Sequence, residues 1–161
     1  MRERFRFLIL FLALVLTGMG FSYPKKSPDI TFSDLDGHRY RLSDFRGKVV
    51  VLNFFKSDCP PCMVELRELA RLYRKYKKDG LMIVSLMVDE EALPLLPRIV
   101  EAKKITYPVG LATEETMEAF GGVYITPTTF IIDRQGEVVK RLLGYAGEEY
   151  LEKKIREYLG L

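Results

Sequence analysis

Tryptophan is absent from these 161 residues, histidine occurs once and cysteine twice. That shortage excludes a structural zinc site built in the usual way, because with one His and two Cys the four ligands would have to include carboxylates, which such sites seldom use. Strong charge of one sign is also missing. Setting aside Arg2, Arg4, Arg6 and Glu3 at the start leaves 22 basic against 21 acidic residues, so the body of the chain gives no electrostatic reason to expect nucleic acid as a partner. Repeats and low-complexity tracts are absent too. Nothing in the residues marks a metal or organic cofactor site. With 48% apolar residues the chain suffices for one core, so one domain with a short N-terminal appendage is expected.

The appendage is Met1 to Tyr23. Arginines lead, the run Phe7 to Leu16 is unbroken apolar sequence, and the small residues Thr17, Gly18 and Gly20 follow. This order fits a secretory signal, with cleavage before Phe21, and equally an uncleaved anchor slightly short of the roughly 20 residues that span a bilayer. No cysteine lies there to carry a lipid. Export would place the chain's two cysteines where disulfides persist. Residues 24–29, with Lys25, Lys26, Ser27 and two prolines, read as an extended linker, and the domain as 30–161.

Both cysteines fall in Asn53-Phe54-Phe55-Lys56-Ser57-Asp58-Cys59-Pro60-Pro61-Cys62. Val49 to Phe55 is a continuous apolar run of the kind a strand buried on both faces requires. Beyond it, Met63, Leu66, Leu69, Ala70, Tyr73 and Tyr76 keep helical spacing until Asp79-Gly80 stops them. The cysteines therefore sit where a buried strand gives way to a helix. Backbone N–H groups there lack partners and the helix dipole is positive, which favours a thiolate over a thiol. Cys59 is expected as the exposed attacking sulfur and Cys62, one turn on, as the thiol that resolves a mixed disulfide. Pro60 and Pro61 suit a first helical turn and stiffen the loop. A purely structural bridge closing so short a loop would be a poor staple.

The rest alternates. Ile30 to Ser33 and Arg39 to Leu42 flank Asp36-Gly37, a hairpin signal. His38 beside that turn reads as a solvated surface residue. Ser43 is expected to cap a helical turn ending at Gly47. Leu81 to Asp89 reads as a second buried strand, Glu90 to Lys104 as a helix regular from about Pro97, and Tyr107 to Leu111 as a short segment before a helix over Thr113 to Phe120. Thr128 to Ile132 and Glu137 to Leu143 form a closing hairpin, and Gly147 to Leu159 an amphipathic helix burying Leu151, Ile155, Tyr158 and Leu159. Strand and helix in this alternation imply a parallel βαβ core.

On the hairpin through Gly37, Leu42-Ser43-Asp44-Phe45-Arg46-Gly47-Lys48, the strand Val50 to Phe54, Cys59-Pro60-Pro61-Cys62 and Thr126-Pro127-Thr128-Thr129-Phe130, the chain resembles the thioredoxin superfamily. Within it, the likeness is to the exported TlpA/ResA/CcmG-like thiol-disulfide oxidoreductases, relatives of the AhpC/TSA-Redoxin proteins. The resemblance implies a thioredoxin-like α/β fold, a central mixed sheet flanked by helices with an added N-terminal β-hairpin. It makes Thr126-Pro127 a cis peptide against the cysteines, so that Thr126, Pro127, Pro60 and Pro61 meet the substrate. It also puts an acid that handles the proton of Cys62 at Glu65, beside the catalytic Cys59 and Cys62. The tryptophans usual in the family are replaced by Phe55 and Asp58. Asp58 opposes thiolate formation at Cys59, and Lys56 offsets it. Asn53 stands where thioredoxins carry a buried aspartate, which turns attention to Glu65.

The implied activity is reduction of disulfides in exported proteins, apocytochrome c being the leading substrate, with re-reduction by a membrane thiol-disulfide electron donor. The implied location is periplasmic or otherwise extracytoplasmic. Two alternatives stand beside this. A thiol peroxidase of the peroxiredoxin type would want a threonine where Lys56 lies, and a non-catalytic thioredoxin-fold binding module would not need both cysteines.

Overall fold

The computed structural model describes residues 23–161. The targeting stretch, apart from Tyr23, lies outside the described residues. Among the described residues no helix is long and apolar enough to cross a membrane.

Five strands form the central sheet: β3 (Val49–Phe55), β4 (Leu81–Met87), β5 (Val109–Leu111), β6 (Thr128–Ile132) and β7 (Val138–Leu143). Their spatial order is β5-β4-β3-β6-β7. β3 runs parallel to β4, and β4 to β5, whereas β6 is antiparallel to β3 and β7 to β6. Every residue of β3 and of β4 is buried, as a strand covered on both faces demands. A separate antiparallel hairpin, β1 (Thr31–Ser33) and β2 (Arg39–Arg41), docks on β5 through a bridge between Asp34 and Gly110. Gly110 is required there, since a Cβ would lie 2.1 Å from the Ser33 carbonyl oxygen. This is a thioredoxin-like fold with an N-terminal hairpin, the architecture the sequence implied.

Alternate side chains of the sheet feed two cores. Val49, Val51, Phe55, Ile83, Met87 and Ile131 pack under two helices, α1 (Pro60–Tyr76) and, at the C-terminus, α4 (Glu148–Leu159). Val50, Leu52, Phe54, Val84, Leu86 and Phe130 face the β1–β2 hairpin and Phe120, which follows α3 (Glu114–Ala119). There Phe54, Phe120 and Phe130 pack with ring centroids 4.9–6.0 Å apart. Each such side chain taken fully from water contributes about 1.5–3 kcal/mol.

Several boundaries move from their expected places for local reasons. The turn after β2 is a 3-10 turn over Leu42–Phe45 preceded by Arg41, so Ser43 lies inside it and is not its cap. Asp44 closes the turn by accepting from the Arg41 amide at 2.7 Å, while the Ser43 amide donates to Asp29. Pro94 sits in a 3-10 stretch, Glu90–Leu95, and the regular helix α2 (Leu96–Lys103) begins one residue before Pro97. Pro108 has no N–H to give a ladder, and β5 starts after it. In α4, Leu151, Ile155 and Leu159 are buried but Tyr158 only partly. Residues 24–29 run extended beside β7, with the Val138 amide donating to the Lys25 carbonyl at 2.7 Å and the Ser27 amide to that of Gly136 at 3.0 Å.

Candidate active site

Strand β3 ends at Phe55 and helix α1 begins at Pro60, so the loop Lys56–Cys59 delivers the first cysteine to the helix N-terminus. Cys59 is the cap residue, and its Sγ accepts from the Cys62 amide at 3.3 Å. Pro60 and Pro61 take the first positions of the helix, where a missing N–H costs nothing. The two sulfurs are joined in a disulfide with Cα atoms 5.2 Å apart. Cys62 is fully buried and Cys59 only partly, the asymmetry expected of a resolving and an attacking sulfur. Lys56 and Asp58 both face solvent.

The second strand pair completes the site. The Thr126–Pro127 peptide bond is cis, as the resemblance implied, and the Thr126 carbonyl oxygen lies 3.6 Å from the Cys59 Sγ. Pro127 is buried beneath it, while Tyr124 and Ile125 just before are exposed. The residue whose carbonyl lies beside the partly exposed sulfur thus directly follows two exposed apolar side chains.

Beneath it lies a polar row in an otherwise apolar sheet. Thr129 on β6, Asn53 on β3 and Ser85 on β4 are register partners across three strands. The Asn53 Nδ2 donates to the Thr129 Oγ1 at 2.9 Å and to the Glu65 Oε1 at 3.0 Å, and the Thr129 hydroxyl donates to the same Glu65 oxygen at 2.5 Å. Ser85 continues the row by donating to the Tyr107 hydroxyl at 3.2 Å. Glu65, one turn beyond Cys62 on α1, is 1% exposed. Burial pushes its pKa above the ordinary carboxylate value, and the neighbouring charge of Glu68 adds to this, against the hydrogen bonds from Thr129 and Asn53 and the nearby Ala146 amide. A carboxyl group placed this way takes up a proton more readily than a surface acid.

Three participants carry no motif in the sequence. Asp89, buried two residues past β4, accepts from the Ser57 amide at 3.1 and 3.2 Å and from the Ser57 hydroxyl, fixing the loop before Cys59. Glu68, one turn after Glu65, is buried, and it accepts from the Tyr145 hydroxyl at 2.6 Å. Tyr145 lies between β7 and α4, far from α1 in sequence. The burial of Glu68 could have been read from its place beside Leu69 on the inward stripe of α1; Asp89 and Tyr145 had no such signal.

Away from the disulfide, the β1–β2 turn brings Asp34, Asp36 and His38 within 4.8 Å of one another. Both Asp34 oxygens are occupied by the hairpin's own donors, the Asp36 and His38 amides, the His38 ring and the Tyr40 hydroxyl. His38 is a solvated surface residue.

A dithiol motif on a helix N-terminus, over a mixed sheet with a cis-proline loop, defines a thiol-disulfide oxidoreductase of thioredoxin-like fold. The chain belongs to the AhpC/TSA family, whose pattern it matches over residues 24–141. It is 36% identical over 129 residues to the thiol-disulfide oxidoreductase ResA of Geobacillus kaustophilus, covering 80% of this chain and 74% of that protein. To ResA of Bacillus subtilis it is 33% identical over 135 residues, 84% of this chain and 73% of the other. A crystal structure of a thiol:disulfide interchange protein from Chlorobium tepidum superposes with a TM-score of 0.78 at 28% identity, covering 86% of this chain and 99% of that one.

Proposed function

We propose that this oxidoreductase works reductively on exported proteins, with apocytochrome c as its leading substrate. The Cys59 thiolate attacks a substrate disulfide and displaces one substrate thiolate. Cys62 then attacks the Cys59 sulfur, releasing the second substrate thiol and forming the intramolecular disulfide seen here. Glu65 takes the proton that Cys62 gives up. Thr126 and Pro127, with Pro60 and Pro61 opposite, form the ledge on which an extended substrate chain lies and pairs with the Thr126 backbone. Residues 1–23 serve as signal or anchor, 24–29 lead into the domain 30–161, and a membrane thiol-disulfide donor restores the dithiol outside the cytoplasmic membrane.

The observation that carries this reading is the Cys59 Sγ beside the Thr126 carbonyl, with Cys62 buried behind it. The test is the reduction potential of the Cys59/Cys62 pair, equilibrated against glutathione or dithiothreitol. A value at or below about −270 mV supports a reductant, whereas one near −120 mV identifies an oxidant of disulfide formation and overturns the direction proposed. The Cys62→Ser variant should accumulate mixed disulfides through Cys59. Turnover that survives this change would remove Cys62 from the reaction.

A further inference from the structure

Glu65 and Glu68 are successive inward-facing acids on α1, three residues apart and therefore on one face of the helix, where such pairs have Cβ atoms roughly 5–6 Å apart. One oxygen of each is engaged. Oε1 of Glu65 receives Asn53 and Thr129, and Oε1 of Glu68 receives Tyr145. The other oxygen of each, Oε2, is buried and has no hydrogen bond among the described residues, the Ala146 amide near the Glu65 carboxyl lying outside hydrogen-bond geometry. Two ionised carboxylates so placed would leave two buried acceptors without donors and set like charges one turn apart, an arrangement that costs far more than it returns in a low-dielectric interior. One proton held between them removes both penalties.

We infer that Glu65 and Glu68 act as one acid pair sharing a single proton between their free oxygens, with the Tyr145 hydroxyl fixing Glu68 as the accepting member. Glu68 and Tyr145 are then positioning residues for the Cys62 step. The inference deepens the role proposed for Glu65 and rests on it. When Cys62 attacks the Cys59 sulfur, its proton passes to the doubly ionised pair, and the pair later returns that proton through the Tyr145 side, where the chain reaches solvent. Tyr145 itself is 46% exposed. Its own proton is held more tightly than in a free tyrosine, chiefly through the bond to Glu68, so it remains the donor.

The other groups around the pair are neutral or already engaged. From β3 and β6 come Asn53 and Thr129, and from the loop before α4 the Ala146 amide. Buried Tyr107 feels the Glu65 charge while its hydroxyl receives that of Ser85, and burial keeps it protonated. Arg71, on the next turn of α1, lies within electrostatic reach of Glu68, and its guanidinium is paired with Glu148 of α4 at 2.9 Å.

The test uses the full chain in its reduced form and a chromogenic aryl disulfide. Attack by Cys59 releases one coloured thiolate, and the Cys62 step releases a second in a phase that does not depend on reagent concentration. The rate of that second phase is followed against pH. In the native protein it should rise as the pair loses its proton, and Glu65→Gln should abolish that rise. Glu68→Gln removes the neighbouring charge and should move the midpoint down by about half a pH unit or more. Tyr145→Phe withdraws the donor that stabilises the doubly ionised pair and should move it up. Opposite displacements are not produced by general loosening of the fold. If Glu65→Gln alters the profile but neither other variant does, the pair is overturned and the role of Glu65 stands. An unchanged profile in Glu65→Gln overturns both. Should Glu68→Gln fail to fold, the surface change Tyr145→Phe decides the matter by itself.

Discussion

The β1–β2 turn and the first turns of α1 each gather acidic side chains, and they treat them in opposite ways. Asp34 is partly withdrawn from water, which works against its charge, but donors from His38 and Tyr40 outweigh that and hold its pKa below the ordinary value. Glu65 also has two side-chain donors, yet complete burial and the charge of Glu68 win, and its pKa rises. Asp89 is buried like Glu65 but is supplied with three donor contacts from Ser57. What separates a structural acid from one able to trade protons is how many of its oxygens the fold supplies with donors, and how far it lies from water.

The comparison breaks most visibly in kinetics. Glu65→Gln should slow the Cys62 step by about a hundredfold or more at neutral pH, the scale of a lost proton acceptor, measured as the second phase of thiolate release. Asp34→Ala should leave that rate unchanged. Asp89→Ala removes a charged acceptor from a buried loop and should lower stability by about 1.5–3 kcal/mol, read from denaturant unfolding. It should also loosen the approach to Cys59, seen as faster amide exchange at Ser57 and Asp58. Asp34→Ala should cost about 1 kcal/mol, confined to the hairpin.

The smallest effect is the sharpest in sign. Because the folded-state pKa of Glu65 lies above the unfolded one, its favourable contribution is complete below about pH 4.3 and disappears as pH rises through the folded value. Glu65→Gln should therefore make the protein more stable near neutrality and flatten the curve there. Asp34 behaves inversely, since its lowered folded pKa gives a contribution present above about pH 3.9 and lost as pH falls through the folded value. Asp34→Asn should remove part of the acid-side decline. Unfolding curves taken from pH 3 to 8 on the three proteins check both slopes.

How much of this was open to reading from residues alone depends on the range of the interaction concerned. The all-apolar runs of β3 and β4, the stop at Gly80 and the proline-led start of α1 are local consequences of composition and backbone freedom, and the sequence order of strands and helices was enough to place Cys59 and Cys62 at a helix N-terminus. The turn at Ser43 was misplaced because its capping acceptor is Asp44 and Asp29 takes the serine amide from 14 residues away.

The sequence by itself determined the two sulfurs, their spacing, the helix that carries them and the acid one turn beyond, because all four lie within a few residues of one another along one helix. Only the tertiary structure decided what that acid meets. Asn53, Thr129, Tyr107 and Tyr145 come from four separate parts of the chain, and strand register together with the packing of α1 and α4 on one face of the sheet brings them around Glu65 and Glu68. Proton affinity is set by donors, charges and distance from water, and those are properties of the packed interior rather than of any segment in it.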